Sequence, residues 1–403
     1  MTVDSKNMGQ EISIGIVGAG LGGMTAAVAL QQRGFRNVTV FEQAPLLGEI
    51  GAGITVGPNI TKILKGLGLE SAVESFAGGT TTFGTNHYQT GERILFTERS
   101  LEEALEKQGA LTRHLHRADL HKVLENAFNK EGDSLKLDHT LEHIEQDVGG
   151  QEDGGVTLRF TNGVTETCDV VIACDGLKSV VRDSLFDTQP PTFTGFLTWR
   201  GLVDADDVPG LDVVPHFAGY PSEGRMFARY PLRHGRQINW VANAYRPKAT
   251  GEESWNDWTD VSEVLEHLGD YHSEVRRIIN ASPDGRCLRW ALHSRQPLDS
   301  WTAGRVVLLG DAAHPMTPFY GMGAGMAFED AAVLARCFEA DNGNWHAAFA
   351  RYEKARVARA NKFHVKSLER GKTYMSADPA DRAKQPSAGM AKEFVYNALT
   401  VEI

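Results

Sequence analysis

No uninterrupted apolar run in this sequence reaches the roughly 18 residues that a membrane-spanning helix needs. The opening stretch, MTVDSKNMGQ, lacks the basic start and apolar centre of a secretion signal. A soluble, cytoplasmic protein with no membrane partner is the expectation. Cysteine is scarce: Cys168, Cys174, Cys287 and Cys337 are scattered, with no C-x-x-C pair and no accompanying histidine spacing. Neither a metal site nor a disulfide scaffold is expected from them. Positive charge is in deficit, with 41 Lys and Arg against 52 Asp and Glu and a net charge of −11. That balance disfavours long-range attraction to nucleic acid. An anionic ligand has to be held by local positive groups.

With 403 residues, the chain has room for two or three modules around sizeable cores. Ile12–Val17 is short, apolar and β-branched, Gly22–Arg33 has helical apolar spacing, and Asn37–Phe41 is strand-like again. This is a βαβ start. Pro58 opens a helix to about Leu67, Thr81–Phe96 reads as a hairpin around Thr90-Gly91, and Arg117–Asn129 reads as an amphipathic helix. Alternating strands over Leu135–Phe160 lead to an apolar strand, Asp169–Ala173, which runs into Asp175-Gly176. Phe193–Tyr245, aromatic and β-branched between Pro and Gly, predicts an antiparallel sheet in a second module. Helical stretches follow near Trp255–Leu268 and Ser273–Asn280. A third buried strand, Arg305–Leu309, passes through Gly310-Asp311 to helices over Gly323–Ala340 and Asn344–Gly371. A polar tail, Ala377–Ser387, predicts a surface connection before a short final helix.

The first βαβ unit carries Gly18-Ala19-Gly20-Leu21-Gly22-Gly23 between strand and helix. Gly18, Gly20 and Gly23 fit the G-x-G-x-x-G pattern, in which missing side chains permit a tight turn and the approach of a pyrophosphate to the helix N-terminus. Glu42, ending the second strand, is placed to accept hydrogen bonds from a ribose 2′-hydroxyl. An acid there disfavours a 2′-phosphate, so FAD or NAD is expected rather than NADP.

Two further segments narrow the choice. They are Cys174-Asp175-Gly176-Leu177-Lys178-Ser179-Val180-Val181-Arg182 and Gly310-Asp311-Ala312-Ala313-His314-Pro315, the latter continuing through Pro318-Phe319-Tyr320-Gly321-Met322-Gly323-Ala324-Gly325. With the first turn they resemble the single-component FAD-dependent aromatic-ring hydroxylases. The likeness is to salicylate hydroxylase and its relatives on hydroxybenzoates and hydroxynicotinate. It is supported by Gly48-Glu49-Ile50-Gly51-Ala52-Gly53, His116-Arg117-Ala118-Asp119-Leu120 and Glu329-Asp330-Ala331, and runs from about residue 12 to 370.

The resemblance implies an α/β fold: a glutathione reductase-like Rossmann FAD-binding domain, an inserted antiparallel-sheet substrate domain and C-terminal helices. Its expected segments are 1–80, 111–190 and 286–345 for FAD, 81–110 and 191–285 for substrate, and 346–403 for the C-terminal helices and tail. The resemblance also assigns roles. Asp311 with Gly310 would hold the flavin ribityl chain. Gly321, Gly323 and Gly325 would bring backbone to the isoalloxazine, with Ala324 also in the cofactor site, Pro318 would line the oxygen pocket, and Arg117 would sit near the pyrophosphate. Gly53 would join the cofactor site, and Asp175, Gly176 and Arg182 would touch the flavin nucleotide and the nicotinamide.

On the substrate side the resemblance favours Arg200 and Tyr230, with Arg225, Arg229 and His216 as other donors or bases and His314 as a further acid or base. Some relatives carry a histidine a few residues before the equivalent Tyr-Pro, where this chain has Arg225-Met226-Phe227-Ala228-Arg229. The implied reaction uses NADH or NADPH and O2 to hydroxylate a small phenolic acid through a flavin C4a-hydroperoxide, salicylate with decarboxylation to a catechol being favoured. Alternatives are 3- or 4-hydroxybenzoate, 6-hydroxynicotinate or a polyketide phenol. The W-x-W-x-I-P segment of flavin halogenases is absent. A non-catalytic flavin sensor is the alternative of another class, and a monomer or homodimer is expected.

Overall fold

The computed structural model describes residues 11–48, 53–128, 134–147, 154–186, 189–248, 257–376 and 393–403. Glu49 to Ala52 of the glycine-rich loop and the polar tail Ala377–Ser387 lie outside them.

Short strands, apolar and fully buried at the centre, build a six-stranded sheet in the order Thr302–Ala303, Val306–Leu308, Val170–Ala173, Ile14–Val17, Val38–Phe41, Leu135–Lys136. All neighbours are parallel except the first pair. Buried on both faces, such strands need no alternation of polar residues. Helix Leu21–Gln32 covers one side and packs against Gly323–Ala340. At Gly22 a Cβ would already touch Leu309 and Ala327, at 3.1 and 3.3 Å.

Three adjacent parallel strands end at Val17, Ala173 and Leu308. The three motifs read from sequence follow them directly, so residues far apart in the chain meet at one carboxyl edge of the sheet. Crevices outside that edge are where open α/β sheets bind ligands.

The second module is an eight-stranded sheet in the order Asp257–Asp260, Arg286–Ser294, Thr192–Asp204, Gln237–Tyr245, Arg225–Leu232, Phe217–Ser222, Thr82–Asn86, Arg93–Glu98. One face packs on helices Val261–Leu268 and Ser273–Asn280 around Trp199, Phe227 and Trp240. Arg286–Ser294, which the sequence boundaries put in the third FAD segment, belongs to this sheet. Residues 257–260, inside the stretch read as helix, form its edge strand and the helix begins at Val261. Past residue 376 the described part of the chain opens on helical Glu393 and continues through turns over 394–403, and the rest of the stretch expected to hold a short final helix lies outside the described residues.

A two-stranded ribbon, Gly53–Val56 with Arg113–His116, lies between the modules. Among the described residues, no helix is long and apolar enough to cross a membrane and no cluster of His, Cys, Asp and Glu suits a metal ion.

Candidate active site

The glycines of the first turn divide by what constrains them. Gly18 has φ +101°, and a Cβ there would lie 2.4 Å from the Cys174 carbonyl oxygen. A Cβ on Gly23 would lie 2.0 Å from the Gly18 oxygen. Packing therefore dictates both. Gly20 differs, because a Cβ on it would meet nothing within 4 Å. Gly20 also precedes helix Leu21–Gln32 without a side-chain cap, so the helix's first N–H groups and positive end are left for an anion.

Glu42 accepts from Ala19 N at 2.8 Å and Ala44 N at 2.9 Å, which ties the turn to the end of the second strand. Each of its oxygens keeps a further lone pair for a hydroxyl. His121, not singled out from sequence, donates from Nε2 to the Ala19 carbonyl at 2.6 Å. Its position one helical turn after Arg117 was the available signal.

In the second motif Asp175 accepts from Val181 N at 3.2 Å, and burial raises its pKa. Arg182 is fully buried and donates to the carbonyls of Gln296, Ala313 and Ala312 at 2.7, 3.1 and 3.4 Å. It clamps the second motif to the third. Gly176 has φ +78°, with open space where a Cβ would stand.

The third motif is held from behind. Asp330 Oδ2 accepts from Gly310 N at 3.2 Å and from His314 Nε2 at 2.5 Å, while Oδ1 accepts from Arg356 Nε at 2.7 Å. Burial opposes ionisation of Asp330, but His314 and Arg356 outweigh it and hold its pKa below the usual range. Glu329 joins the same buried cluster through Arg356, Arg359 and Asn59. His314 is thus a fully buried brace with its ring against Trp301, and the structure does not bring it to the substrate-side sheet face.

Asp311 projects the other way and is exposed. The surrounding protein still raises its pKa by desolvation, countered by the charges of His314 and Arg117. Pro318 opens a 3-10 turn closed by Gly321 at φ +65°, with open space at the position of a Cβ. Helix Gly323–Ala340, with Ala324 in its first turn, then starts without a side-chain cap.

On the eight-stranded sheet, register settles which side chains share a face. Arg200 stands opposite Val241, Asn239 opposite Tyr230 and Thr198 opposite Asn243. Side chains alternate along a strand, so Thr198, Arg200, Asn239, Asn243 and Tyr230 share the face turned to Gly53. Gly53 N donates to Asn239 Oδ1 at 2.7 Å, and a Cβ on Gly53 would lie 2.7 Å from the Tyr230 ring.

Arg229 falls on the opposite face, where it bonds Glu274 and the carbonyls of Pro215 and Asp212. Arg225 pairs with Asp270, and His216 bonds Thr82. The structure therefore gathers Arg200 and Tyr230 and leaves the other three candidates with framework partners.

Another side chain completes the group. His114, from strand Arg113–His116, stacks on Tyr230 with ring centroids 4.6 Å apart, and its Nδ1 lies 2.9 Å from Thr55 Oγ1. It is 5 % exposed, and its Nε2 has no partner among the described residues. Burial, then the nearby His216, lowers its pKa to about 3.

Burial raises Tyr230 to about 12, with the Arg200 charge and the Thr55 hydroxyl pulling it back. Arg200 has a buried Nε without a partner among the described residues and lies over the Trp290 ring at 5.0 Å. Its pKa is lowered by burial, with Tyr230 acting to raise it and the Arg117 charge lowering it further. Arg117 thus acts electrostatically on both Asp311 and Arg200.

Residues 11–366 match the family described as FAD binding domain. The chain is 34% identical over 379 residues to 6-hydroxynicotinate 3-monooxygenase of Pseudomonas fluorescens, covering 93% of this chain and 94% of that protein. It is 34% identical to 3-amino-4-hydroxybenzoate 2-monooxygenase of Streptomyces cremeus, covering 88% and 86%. A salicylate hydroxylase substrate complex superposes with TM-score 0.79 at 26% identity, over 96% of each chain. With the glycine turn, the Asp311 loop and the Arg200 face in one fold, the chain belongs to the FAD-binding family of flavoprotein monooxygenases that includes the aromatic hydroxylases.

Proposed function

We propose that this enzyme uses NAD(P)H and O2 to hydroxylate a small aromatic acid bearing a ring hydroxyl, replacing its carboxylate. The observation that carries the reading is the gathering of Arg200, Tyr230 and His114 where the substrate sheet faces Gly53. An arginine there suits a carboxylate.

The residues present fit FAD. The open, uncapped turn at Gly20 would take the pyrophosphate with Arg117, Glu42 a ribose hydroxyl, and Asp311 the ribityl hydroxyls. Gly321, Gly323 and Ala324 would bring backbone to the ring. Bound FAD, once reduced, supplies the activation of dioxygen.

The sheet face does the rest. Arg200 pairs with the substrate carboxylate and favours a phenolate, because a buried guanidinium without a counter-charge gains most from an anion. Tyr230, a neutral phenol at ordinary pH, donates to a substrate oxygen. His114, neutral by burial, offers Nε2 as a hydrogen-bond acceptor that orients the ring hydroxyl. In this reading it takes the place of the histidine that Arg225–Arg229 lacks.

Salicylate is the first substrate to test, since the structural likeness includes a salicylate hydroxylase. The identity to a 6-hydroxynicotinate monooxygenase favours that acid as the second. In both, the carbon bearing the carboxylate is activated ortho or para by the hydroxyl, so one oxygen atom enters there, CO2 leaves, and the other oxygen becomes water. Product analysis decides: the reading expects catechol and CO2 from salicylate or the decarboxylated diol from 6-hydroxynicotinate. A hydroxylated product that keeps its carboxylate contradicts it.

A further inference from the structure

Strand Arg93–Glu98 ends the eight-stranded sheet and pairs only with Thr82–Asn86. An open edge presents unpaired N–H and C=O groups, which soluble proteins protect with central charges, proline, bulges or a covering element. Here the centre of the strand is apolar. Ile94, Leu95 and Phe96 are 37%, 42% and 38% exposed, so both faces meet solvent. The one register irregularity lies at its start, beside Asn86.

The patch extends beyond the strand. Leu101 and Leu105, one turn apart on helix Leu101–Gln108, are also exposed, as is Val214, whose carbonyl accepts from Arg93 Nη2 at 3.3 Å. Six of the ten exposed large apolar residues in the described chain thus belong to this one region. Such clustering marks an interaction surface rather than scattered surface apolarity.

The charge order identifies the occupant. Arg93 lies over the Phe96 ring at 4.8 Å and has no carboxylate partner among the described residues, and Glu98 has no ion-pair or side-chain hydrogen-bond partner there. Arg93 stands opposite Asn86 and Leu95 opposite Thr85, so the irregularity at Ile94 puts Arg93 on the face of Phe96 and Glu98. Pairing the strand antiparallel with itself about a two-fold axis at Phe96 then sets Phe96 opposite Phe96, Leu95 opposite Thr97 and Arg93 opposite Glu98. Each unpaired charge then meets its complement twice, and directly opposed cross-strand pairs of this kind are favourable. We propose that this face is the two-fold interface of a homodimer, in which the two sheets join edge to edge. Leu101 and Leu105 widen the contact towards the area that stable interfaces need, on the order of 1,200 Å² or more. A two-fold contact closes on itself and leaves no edge for further growth.

Sedimentation equilibrium of the FAD-loaded full chain, across micromolar concentrations, tests this. The native chain should form a dimer and nothing larger. Leu95→Asp, and Arg93→Glu or Glu98→Arg singly, should each weaken association by about tenfold or more, whereas Arg93→Glu with Glu98→Arg should restore it. Flavin absorbance should be unchanged in all four, because these side chains stand at the surface. Rescue by the second charge separates lost complementarity from misfolding. A native chain that stays monomeric, an open or higher assembly, a dimer indifferent to Leu95→Asp, or a double variant no better than the singles would each overturn the proposal.

Discussion

The ring of His114 lies against the ring of Tyr230 at 4.6 Å and an interplanar angle of 25°, although the two residues come from different sheets. The contact joins the ribbon beside the FAD-side fold to the substrate sheet, and both rings are buried there.

Stability should report that burial. The folded protein excludes the His114 proton down to about pH 3, while the unfolded chain takes it up near pH 6.5. The stability held above pH 6.5 is therefore lost progressively as pH falls through the window from 6.5 to 3. His114→Gln removes that dependence. The native protein's advantage over the variant in urea unfolding should shrink by roughly 1 kcal/mol between pH 8 and pH 5.5.

Arg200 can be separated from general packing by choice of substrate. For Arg200→Gln, KM for a hydroxy acid should rise by about 10- to 100-fold, while binding of the corresponding phenol without the carboxylate changes little. Equal losses for both compounds would assign Arg200 to the framework.

The glycine turn offers a contrast within one motif. Gly23→Ala brings a Cβ against the Gly18 oxygen and should cost roughly 1–3 kcal/mol of folding stability. Gly20→Val meets no protein atom at its Cβ. It should leave apo stability within about 0.5 kcal/mol and weaken FAD binding at least about tenfold, read by flavin fluorescence titration.

His314→Asn breaks a buried bond to Asp330 and should destabilise the fold by roughly 3 kcal/mol. The pH profile of kcat in the surviving enzyme should keep its shape. A displaced limb of that profile would return His314 to the chemistry.

The FAD end was legible in sequence because its constraints are local. Gly18, Gly23, Gly176 and Gly310 answer to positive φ or close packing within a few residues of a strand end, and Gly321 to the positive φ of the turn that Pro318 opens. The alternation along Arg225–Leu232 also carried information, since Arg229 and Tyr230 as neighbours must face opposite sides. His114 was not legible. It meets Tyr230 only because an antiparallel ribbon sets its strand beside Gly53 and a separate sheet brings Tyr230 there, and no spacing within the chain encodes that meeting. The clamp of Arg182 on the Gly310 loop and the edge strand inside 255–268 were hidden for the same reason. Both depend on partners more than twenty residues away.

The central claim, a flavin hydroxylase whose reduction is tuned to an aromatic acid held by Arg200, meets its most direct test in stopped-flow bleaching of the FAD-loaded enzyme. NADH or NADPH is mixed with the enzyme with and without salicylate, 6-hydroxynicotinate and the isomeric hydroxybenzoates, and oxygen uptake is followed in parallel. The account predicts that at least one hydroxy acid accelerates bleaching by about tenfold or more and couples it to oxygen uptake and product, and that Arg200→Gln loses the acceleration. Bleaching at one rate whatever acid is present would contradict it.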